Sequence, residues 1–243
     1  MGSKWTKTKA LLKYKALRRY IPKTKPMTKN TLSTMLNHYK VVYIKPNVGT
    51  YGGGVMKVEH KSGSLPYVYQ NGLKIRRFAS KDKLYADLSK IKGKRPYLVQ
   101  KGIDLRTWNG RIFDLRVMVQ RSPSAKWKTT GIIGRAANPR KVVTNYHNGG
   151  SLVSFENLLA PYTTKLERLK LERKLRYLGI YVAKRMVRNF PGIRSIGLDI
   201  GLDKKLHPWI IEVNTRPDPY IFRKLADKRI YAKVIRYHRF NNR

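Results

Sequence analysis

Three observations predict an α+β fold for this chain. Helix-like and strand-like hydrophobic patterns alternate along it. The strand-like segments come mostly in pairs joined by short turns, which is typical of antiparallel hairpins. No internal repeat or linker rich in Pro, Gly or Ser divides the 243 residues. With 41% hydrophobic residues, the chain can form one substantial core or two small subdomains that share a cleft.

Five segments are predicted to be helical because their apolar residues recur every three to four positions. They cover residues 4–20, 29–39, about 81–91, 163–190 and about 218–238. Thr28 is placed to cap the second helix, and Pro191-Gly192 to end the fourth. The apolar side of that long helix is expected to carry Leu166, Leu169, Leu175, Leu178, Val182, Met186 and Phe190.

Strands are predicted where aliphatic and aromatic residues run between turn signals. Asn109-Gly110 is a strong hairpin signal, which joins a strand around residues 105–108 to a longer one that starts at Phe113. The full set of expected strands lies at residues 41–46 and 55–60, within 65–80 and 96–121, and near 194–202 and 208–214.

The chain is strongly basic, with 54 Lys and Arg against 13 Asp and Glu and a formal charge of +41. Such a charge repels itself at low salt, so we expect a polyanionic partner, most commonly nucleic acid. A generally basic proteome is the alternative. The absence of cysteine excludes disulfides, thiolate zinc sites and thiol nucleophiles. Apolar runs of about five residues are far short of a membrane-spanning helix, so a cytoplasmic location without a transmembrane segment is expected.

Carboxylates are scarce, so their clustering between residues 196 and 214 is informative. Asp199 lies on one predicted strand. Glu212 and Asn214 lie two positions apart on the next, which points both side chains to one face of a sheet. Hard divalent cations such as Mg²⁺ prefer these oxygen ligands, so the three residues are predicted to bind a metal. Ion pairs with neighbouring bases are the alternative, and Asp203 is expected to be a turn residue.

A glycine-rich turn at residues 49–54 follows a strand that ends in Lys45-Pro46. Backbone amides can approach a phosphate closely where no Cβ interferes, and Lys45 adds a positive charge. The turn is not a Walker A loop, because no Gly-Lys-Ser/Thr follows, and it lacks the strand-to-helix context of a Rossmann turn. A plain β-hairpin turn is the alternative to a phosphate loop.

Several segments, taken in order, resemble the ATP-grasp superfamily, and most closely its YheC/YheD-like branch of endospore coat-associated proteins. The resemblance covers nearly the whole chain, and the family's separate N-terminal domain is expected to be absent because little precedes Lys4. The matching pieces are YIPKT at 20–24, VVYIKPNVGTYGGGVMKV at 41–58, YLVQKGIDL at 97–105, FDLRVMVQR at 113–121, TNYHNGG at 144–150, GLDIGLD at 197–203 and WIIEVNTRPD at 209–218.

The resemblance implies a single α+β ATP-grasp unit over residues 1–243, in which two subdomains with mainly antiparallel sheets enclose a nucleotide cleft. Residues 1–24 would form a basic helical segment. Residues from about 25 to 100 would form a small lid-like subdomain that carries the glycine-rich loop. Residues from about 101 to 243 would form the larger catalytic subdomain that carries the metal site.

The resemblance also implies ATP and Mg²⁺ as cofactors. Lys45 would contact the α and β phosphates. Lys4 resembles a second ATP-contacting lysine, although Lys7 and Lys9 compete for that role. The implied hinge would read adenine through backbone groups. The expected nucleotide-binding residues are Lys4, Lys45, Gly49, Thr50, Gly52, Gly53, Gly54, Gln100, Lys101, Ile103 and, at the ribose hydroxyls, Asp104.

The reaction implied by the family is the phosphorylation of a carboxylate followed by attack of an amine on the acyl phosphate. It needs clamps for negative charge rather than a covalent nucleophile. Arg116 and Arg135 resemble the cations that steady the transferring phosphoryl group, with a strand-pairing or surface role as the alternative. Asn145 would shape the acceptor side, and Arg216 would hold a substrate carboxylate. Asp114 is either a further ligand or an ion-pair partner of an arginine.

Two functions from different classes are therefore expected to compete. The first is an ATP-dependent carboxylate–amine ligase with an acidic or polyanionic acceptor, such as nucleic acid. The second is a non-catalytic nucleic-acid-binding or packaging protein on the same scaffold, in which tyrosines of the basic end helices stack on bases. A role in spore-coat assembly rests on the family label alone. The tyrosines in question are Tyr14, Tyr20, Tyr231 and Tyr237.

Overall fold

The computed structural model describes residues 2–49, 53–139 and 149–242, and these residues form an α+β structure. The strands are β1 Thr24–Pro26, β2 Val41–Pro46, β3 Met56–His60, β4 Tyr67–Asn71, β5 Lys74–Phe78, β6 Tyr97–Lys101, β7 Thr107–Trp108, β8 Arg111–Arg121, β9 Trp127–Ala136, β10 Ser151–Val153, β11 Ser195–Leu202 and β12 Pro208–Asn214. The α-helices are α1 Lys4–Leu12, α2 Lys15–Arg18, α3 Lys29–Tyr39, α4 Lys81–Lys92, α5 Phe155–Leu159, α6 Lys165–Asn189 and α7 Lys228–Asn241.

The strands form two antiparallel sheets. The first sheet has the order β1-β6-β2-β3-β4-β5, and the second has the order β10-β9-β8-β11-β12 with β7 paired to β8. Helices α3 and α4 pack on the first sheet, where Leu36 and Leu88 are fully buried against Ile44 and Val58. This apolar cluster is the core of the first sheet.

Helices cover both faces of the second sheet. Successive side chains of β8 point to opposite faces, and apolar side chains lie on each of them. Val117 and Val119 belong to the apolar cluster that contains Leu175 and Val182 of α6. Met118, which points to the opposite face, packs in a separate cluster with Val234 of α7. The central strands are therefore buried on both sides, which explains the continuous apolar run of β8.

Residues 3–23 connect the two sheets along one side of the molecule. The amide of Lys4 donates to the Asn47 carbonyl at 2.9 Å, just after β2. The amide of Ile210 in β12 donates to the Tyr20 carbonyl at 2.7 Å. The amide of Lys101 in β6 donates to the Lys23 carbonyl at 2.8 Å. This N-terminal strap therefore touches the first sheet, crosses to the second and returns.

Local signals predicted several elements at their observed positions. Helix α3 begins at Lys29 behind Thr28, which forms a capping box with Thr31. Asn109 and Gly110 both have positive φ, 49° and 72°, as a two-residue hairpin turn between β7 and β8 requires. The predicted strand at residues 41–46 coincides with β2.

Other predictions were wrong in detail. The single helix expected over residues 4–20 is broken into α1 and α2, and the helix expected from 218 starts only at Lys228, where Asp227 caps it. A 3₁₀ turn, Tyr220–Lys224, precedes it because Pro219 starts a tight turn there. Strands β1, β9 and β10 and helix α5 were not predicted, and β1 depends on pairing with the distant β6. Leu166 and Leu169 lie at the start of α6 and are exposed rather than on its buried side.

No helix within the described ranges is both long and apolar enough to cross a membrane.

Candidate nucleotide and metal site

A row of buried charges crosses the second sheet. Asp114 and Arg116 lie two positions apart on β8, so they share a face, and each is in register with a side chain of opposite charge on a neighbouring strand. Arg135 of β9 donates to both carboxylate oxygens of Asp114, at 2.7 and 2.6 Å. Arg116 Nε donates to Asp199 Oδ1 at 2.7 Å, and Arg135 also lies 3.1 Å from that oxygen.

Asp199 is consequently ionised at neutral pH despite its position inside the protein. Burial by itself would raise its pKa, but the positive charges of Arg116 and Arg135 outweigh that effect and hold the pKa well below its usual range. Burial also acts against the charged form of Arg135, and Asp114 and Asp199 more than compensate, so the pKa of Arg135 is raised. Asp199 and Arg135 are therefore both charged at neutral pH.

Glu212 continues this row on β12, where it is in register with Asp199. Its Oε1 accepts a hydrogen bond from Lys4 Nζ at 2.6 Å. The same ammonium group donates to the carbonyl oxygen of Gly49 at 2.9 Å, at the beginning of the glycine-rich turn. Lys4, at the N-terminus of α1, therefore links the turn of the first sheet to a carboxylate of the second.

Lys45 reaches across the gap between the sheets from the end of β2. Its Nζ donates to the Ile211 carbonyl of β12 and to Gln100 Oε1 of β6, both at 3.0 Å. Burial lowers the pKa of Lys45 to about 8, although Glu212 acts in the opposite direction. A buried ammonium of this kind, placed beside carboxylates in a cleft, marks a candidate binding site for anions.

A small cavity of about 20 Å³ remains between α1, β2 and β12, with room for about one water molecule. Lys4, Lys7 and Lys45 line it together with Glu212. Burial lowers the pKa of Lys7, the charge of Glu212 acts in the opposite direction, and the charge of Lys4 adds to the lowering. Three ammonium groups therefore surround this small space.

The residues predicted to bind a metal do lie side by side. Asn214 Nδ2 donates to Asp199 Oδ2 at 3.3 Å, which leaves the amide oxygen of Asn214 as an acceptor. Two carboxylates and one amide oxygen on adjacent strands match the ligand chemistry of Mg²⁺. The part of the chain that is described contains no group of three or more His, Cys, Asp or Glu side chains able to hold a metal. Any metal here would therefore need the amide, water or phosphate oxygens as well.

The other predicted residues are distributed differently. Gln100 is buried and uses its side chain to bind Lys45 and Thr24, while the amides of Lys101 and Gly102 donate to backbone carbonyls. Ile103 is half-buried, and Asp104 is exposed with its carboxylate 3.7 Å from Lys204 Nζ. Three other predicted site residues are exposed or half-buried in loops, namely Gly53, Gly54 and Arg216. Three lie outside the described residues, namely Thr50, Gly52 and Asn145.

Two features of this site were missed or left open by the sequence. Asp114 is the bidentate partner of Arg135 rather than an open ligand, one of the two alternatives considered. Lys7 was named only as a competitor of Lys4, yet both line the cavity. Their i, i+3 spacing on a helix was the available signal, because residues at that spacing share a face. Asp203 is a turn residue as expected, since it accepts hydrogen bonds from the amides of Lys205 and His207.

Comparison with solved structures assigns the fold to the ATP-grasp class. An ADP complex of purK, N5-carboxyaminoimidazole ribonucleotide synthetase, superimposes with a TM-score of 0.56 at 13% identity, over 97% of this chain and 51% of that one. The C-terminal domain of K. lactis Pby1, an ATP-grasp enzyme interacting with the mRNA decapping enzyme Dcp2, gives a TM-score of 0.51 at 16% identity, over 95% and 68% of the two chains.

At the level of sequence, the chain belongs to the YheC/D-like ATP-grasp family, whose model matches residues 1–240. It is 30% identical over 190 residues to the endospore coat-associated protein YheD of Bacillus subtilis, and 21% identical over 223 residues to YheC of the same organism. These matches cover 76% and 89% of this chain but only 41% and 60% of the two relatives. The chain therefore spans about half the length of the curated relatives that it matches.

Proposed function

We propose that this chain is an ATP- and Mg²⁺-dependent carboxylate–amine ligase that works through an acyl phosphate. The observation that carries the proposal is the meeting of Lys45, Lys4 and Glu212 in the gap between the two sheets, next to the ionised Asp199. Phosphoryl transfer needs little covalent chemistry from a protein, but it needs fixed charges that hold phosphate and stabilise the charge that develops.

The side chains take complementary roles in this proposal. Lys45 and Lys4 would bind the phosphate chain, and Lys4 would exchange Glu212 for a phosphate oxygen as the nucleotide enters. Asp199, Glu212 and Asn214 would hold Mg²⁺, which would offset the negative charge of the phosphates. Arg116 and Arg135 already have fixed directions through Asp199 and Asp114, so they would stabilise the transferring phosphoryl group without reorganisation.

The remaining steps concern the two substrates. A carboxylate oxygen of the first would attack the γ phosphorus, the bond to ADP would break, and an amine would then displace phosphate from the acyl phosphate. Arg216 would hold the carboxylate substrate, and Ile103 and Asp104 would contact the adenine and the ribose. Thr50, Gly52 and Asn145 would complete the loops around the phosphates and the acceptor. The excess of positive charge favours an acidic or polyanionic acceptor, in a cytoplasmic setting.

The test is ADP release with Mg²⁺-ATP in the presence of candidate carboxylates and amines, including acidic peptides, DNA and RNA. Glu212→Gln keeps the size of the side chain and removes its charge, so turnover should fall by at least a hundredfold. Glu59→Gln serves as the matched control, because Glu59 pairs with Lys57 on the first sheet, away from the cleft. Equal turnover of wild type and Glu212→Gln would refute the proposal.

A second candidate function is nucleic-acid binding without ligase turnover. It is favoured by a basic cluster of Lys128 in β9, Arg176 in α6, and Lys233 and Arg236 in α7. Burial, followed by repulsion from these three neighbours, lowers the pKa of Lys233. The exposed Tyr177 on α6 offers a ring for stacking on a base. Arg176 is already paired with Glu172 at 2.6 Å, and a bound polyanion would offset the charges of the other three residues.

The expectation that tyrosines of the end helices stack on bases is wrong for two of the four residues. Tyr20 and Tyr237 are both buried, so their rings are not available to a nucleic acid. Binding of single-stranded DNA should be followed over a salt series for wild type, Lys233→Gln and, as a control on α4, Lys90→Gln. Lys233→Gln should reduce the salt slope by about one, whereas the control should not. Negligible affinity of the wild type at physiological salt would exclude this function.

A further inference from the structure

Lys7 is the one lysine of α1 whose environment is not explained by the contacts already described in the cleft. The residue is only 9% exposed, although a lysine at a helix surface normally keeps its ammonium in water. Among the described residues, no group accepts a hydrogen bond from Lys7 Nζ and no carboxylate forms an ion pair with it. A buried charge without a hydrogen-bonded partner is costly, so the fold retains an expensive arrangement at this position.

Lys7 lies beside two other ammonium groups. The ammonium shares a cavity with Lys4 and Lys45, and Glu212, the carboxylate that also lines that cavity, is already bound by Lys4 at 2.6 Å. Burial lowers the pKa of Lys7 more than the negative charge of Glu212 raises it, and the repulsion from Lys4 adds to the lowering. The neighbouring Lys9 is unlike it, because Lys9 Nζ lies 5.8 Å from the centre of the Trp5 ring and does not line the cavity.

The charges of the whole site identify the kind of ligand that would relieve this cost. The carboxylates Asp114, Asp199 and Glu212 are outnumbered by the five bases around them, which leaves an excess of two positive charges. Mg²⁺ would add two more, and the four negative charges of ATP would then bring the total to zero. This balance requires Lys7 to be counted among the five bases, which are Lys4, Lys7, Lys45, Arg116 and Arg135.

We infer that Lys7 is a third phosphate-binding lysine, which acts with Lys4 from the same face of α1 to grip the phosphate chain of a nucleoside triphosphate. The inference rests on the proposed nucleotide-dependent function and adds a residue to its site. In the nucleotide-free protein Lys7 destabilises the fold, and the phosphate chain supplies its missing partner. Helix α1 is therefore a binding element and not only a structural cover over the cleft.

The inference predicts opposite effects of one substitution on binding and on stability. Lys7→Met keeps the length of the side chain and removes its charge. Titration calorimetry with ATP and Mg²⁺ at 150 mM salt should show binding at least tenfold weaker than that of wild type. The melting temperature without nucleotide should be equal to that of wild type or higher, because a buried unpaired charge has been removed. Lys9→Met, from the same helix, should change ATP affinity by less than twofold.

The possible outcomes separate the inference from the proposed function. If wild type binds ATP and Lys7→Met binds it equally well, Lys7 is not a phosphate ligand, and the proposed function stands. If Lys7→Met binds ATP poorly but also melts well below wild type, Lys7 has a structural role and the inference is wrong. If wild type itself does not bind ATP, the proposed function fails and the inference fails with it. Weaker binding of Lys7→Arg than of wild type, but tighter than of Lys7→Met, would support a charge-dependent contact.

Discussion

The buried pair formed by Asp114 and Arg135 allows a quantitative test of the site's architecture. The two side chains are joined by two hydrogen bonds, at 2.7 and 2.6 Å, and each is about 5% exposed or less. The substitution Asp114→Asn keeps the size and shape of the side chain. It removes the negative charge and turns one acceptor into a donor that faces the guanidinium group of Arg135.

The expected cost follows from the charges that remain. Arg135 would retain only Asp199, at 3.1 Å, and Asp199 is already shared with Arg116. One positive charge would thus remain uncompensated inside the sheet. Breaking a buried ion pair by removing one partner typically costs 3–5 kcal/mol, so we expect a loss of about 4 kcal/mol in the free energy of unfolding. That corresponds to roughly a thousandfold change in the unfolding equilibrium constant.

Urea unfolding followed by far-ultraviolet circular dichroism measures this loss. Asp227→Asn is a matched control, because Asp227 also binds an arginine, Arg229, through two hydrogen bonds, but at the surface. Asparagine can still cap α7 there, so the unfolding midpoint should not change. The double variant Asp114→Leu with Arg135→Met should recover most of the stability. A loss below about 1 kcal/mol for Asp114→Asn would refute the reasoning.

Two further predictions concern Lys45 and the glycine-rich turn. The pKa of Lys45 falls from 10.5 in the unfolded chain to about 8 in the fold, so between these values the unfolded state binds more protons and stability rises with pH. The free energy of unfolding of wild type relative to that of Lys45→Met should therefore increase by on the order of 3 kcal/mol from pH 7 to pH 10.5, measured by urea titrations. The same difference at both pH values would contradict this prediction. Gly54 has φ 72°, and a Cβ there would lie 2.8 Å from the Tyr97 hydroxyl, whereas at Gly72, with φ 60°, it would meet nothing within 4 Å. Gly72→Ala should reduce the stability by about 1 kcal/mol through the backbone alone, and Gly54→Ala by roughly twice that, measured by thermal unfolding. Equal losses would rule out the contact with Tyr97.

The parts of the fold that were predictable are those determined by neighbours in sequence. Thr28 caps α3, Asn109-Gly110 turns the hairpin, and the apolar run of β2 forms a buried strand, because each signal acts within a few residues. Strand β1 was not predictable in this way, since its three residues become a strand only by pairing with β6, more than seventy residues away. Leu166 and Leu169 show the opposite case. They continue the apolar pattern of α6 in the sequence, but they are exposed at the start of the helix.

The candidate site likewise has features that short spacings in the sequence indicate and features that they do not. The i, i+2 spacings of Asp114 with Arg116 and of Glu212 with Asn214 indicate shared faces, and both prove to lie in one row of charges. The partners of each charge depend on the order of strands in the sheet. No spacing along the chain indicates that Asp199 would accept hydrogen bonds from two arginines. The i, i+3 spacing of Lys4 and Lys7 indicates a shared helix face, but not that this face would line a cavity with Glu212 of β12.

The N-terminal strap has a consequence for how the protein is made. Residues 3–23 leave the ribosome well before β12, because the carboxylate that binds Lys4 lies 208 residues further along the chain. At roughly 5–20 residues per second, synthesis of the intervening segment takes on the order of 10–40 s. During that time α1 exposes Leu11 and several lysines without their partners. The gap between the two sheets is thus completed only after β12 has emerged from the ribosome.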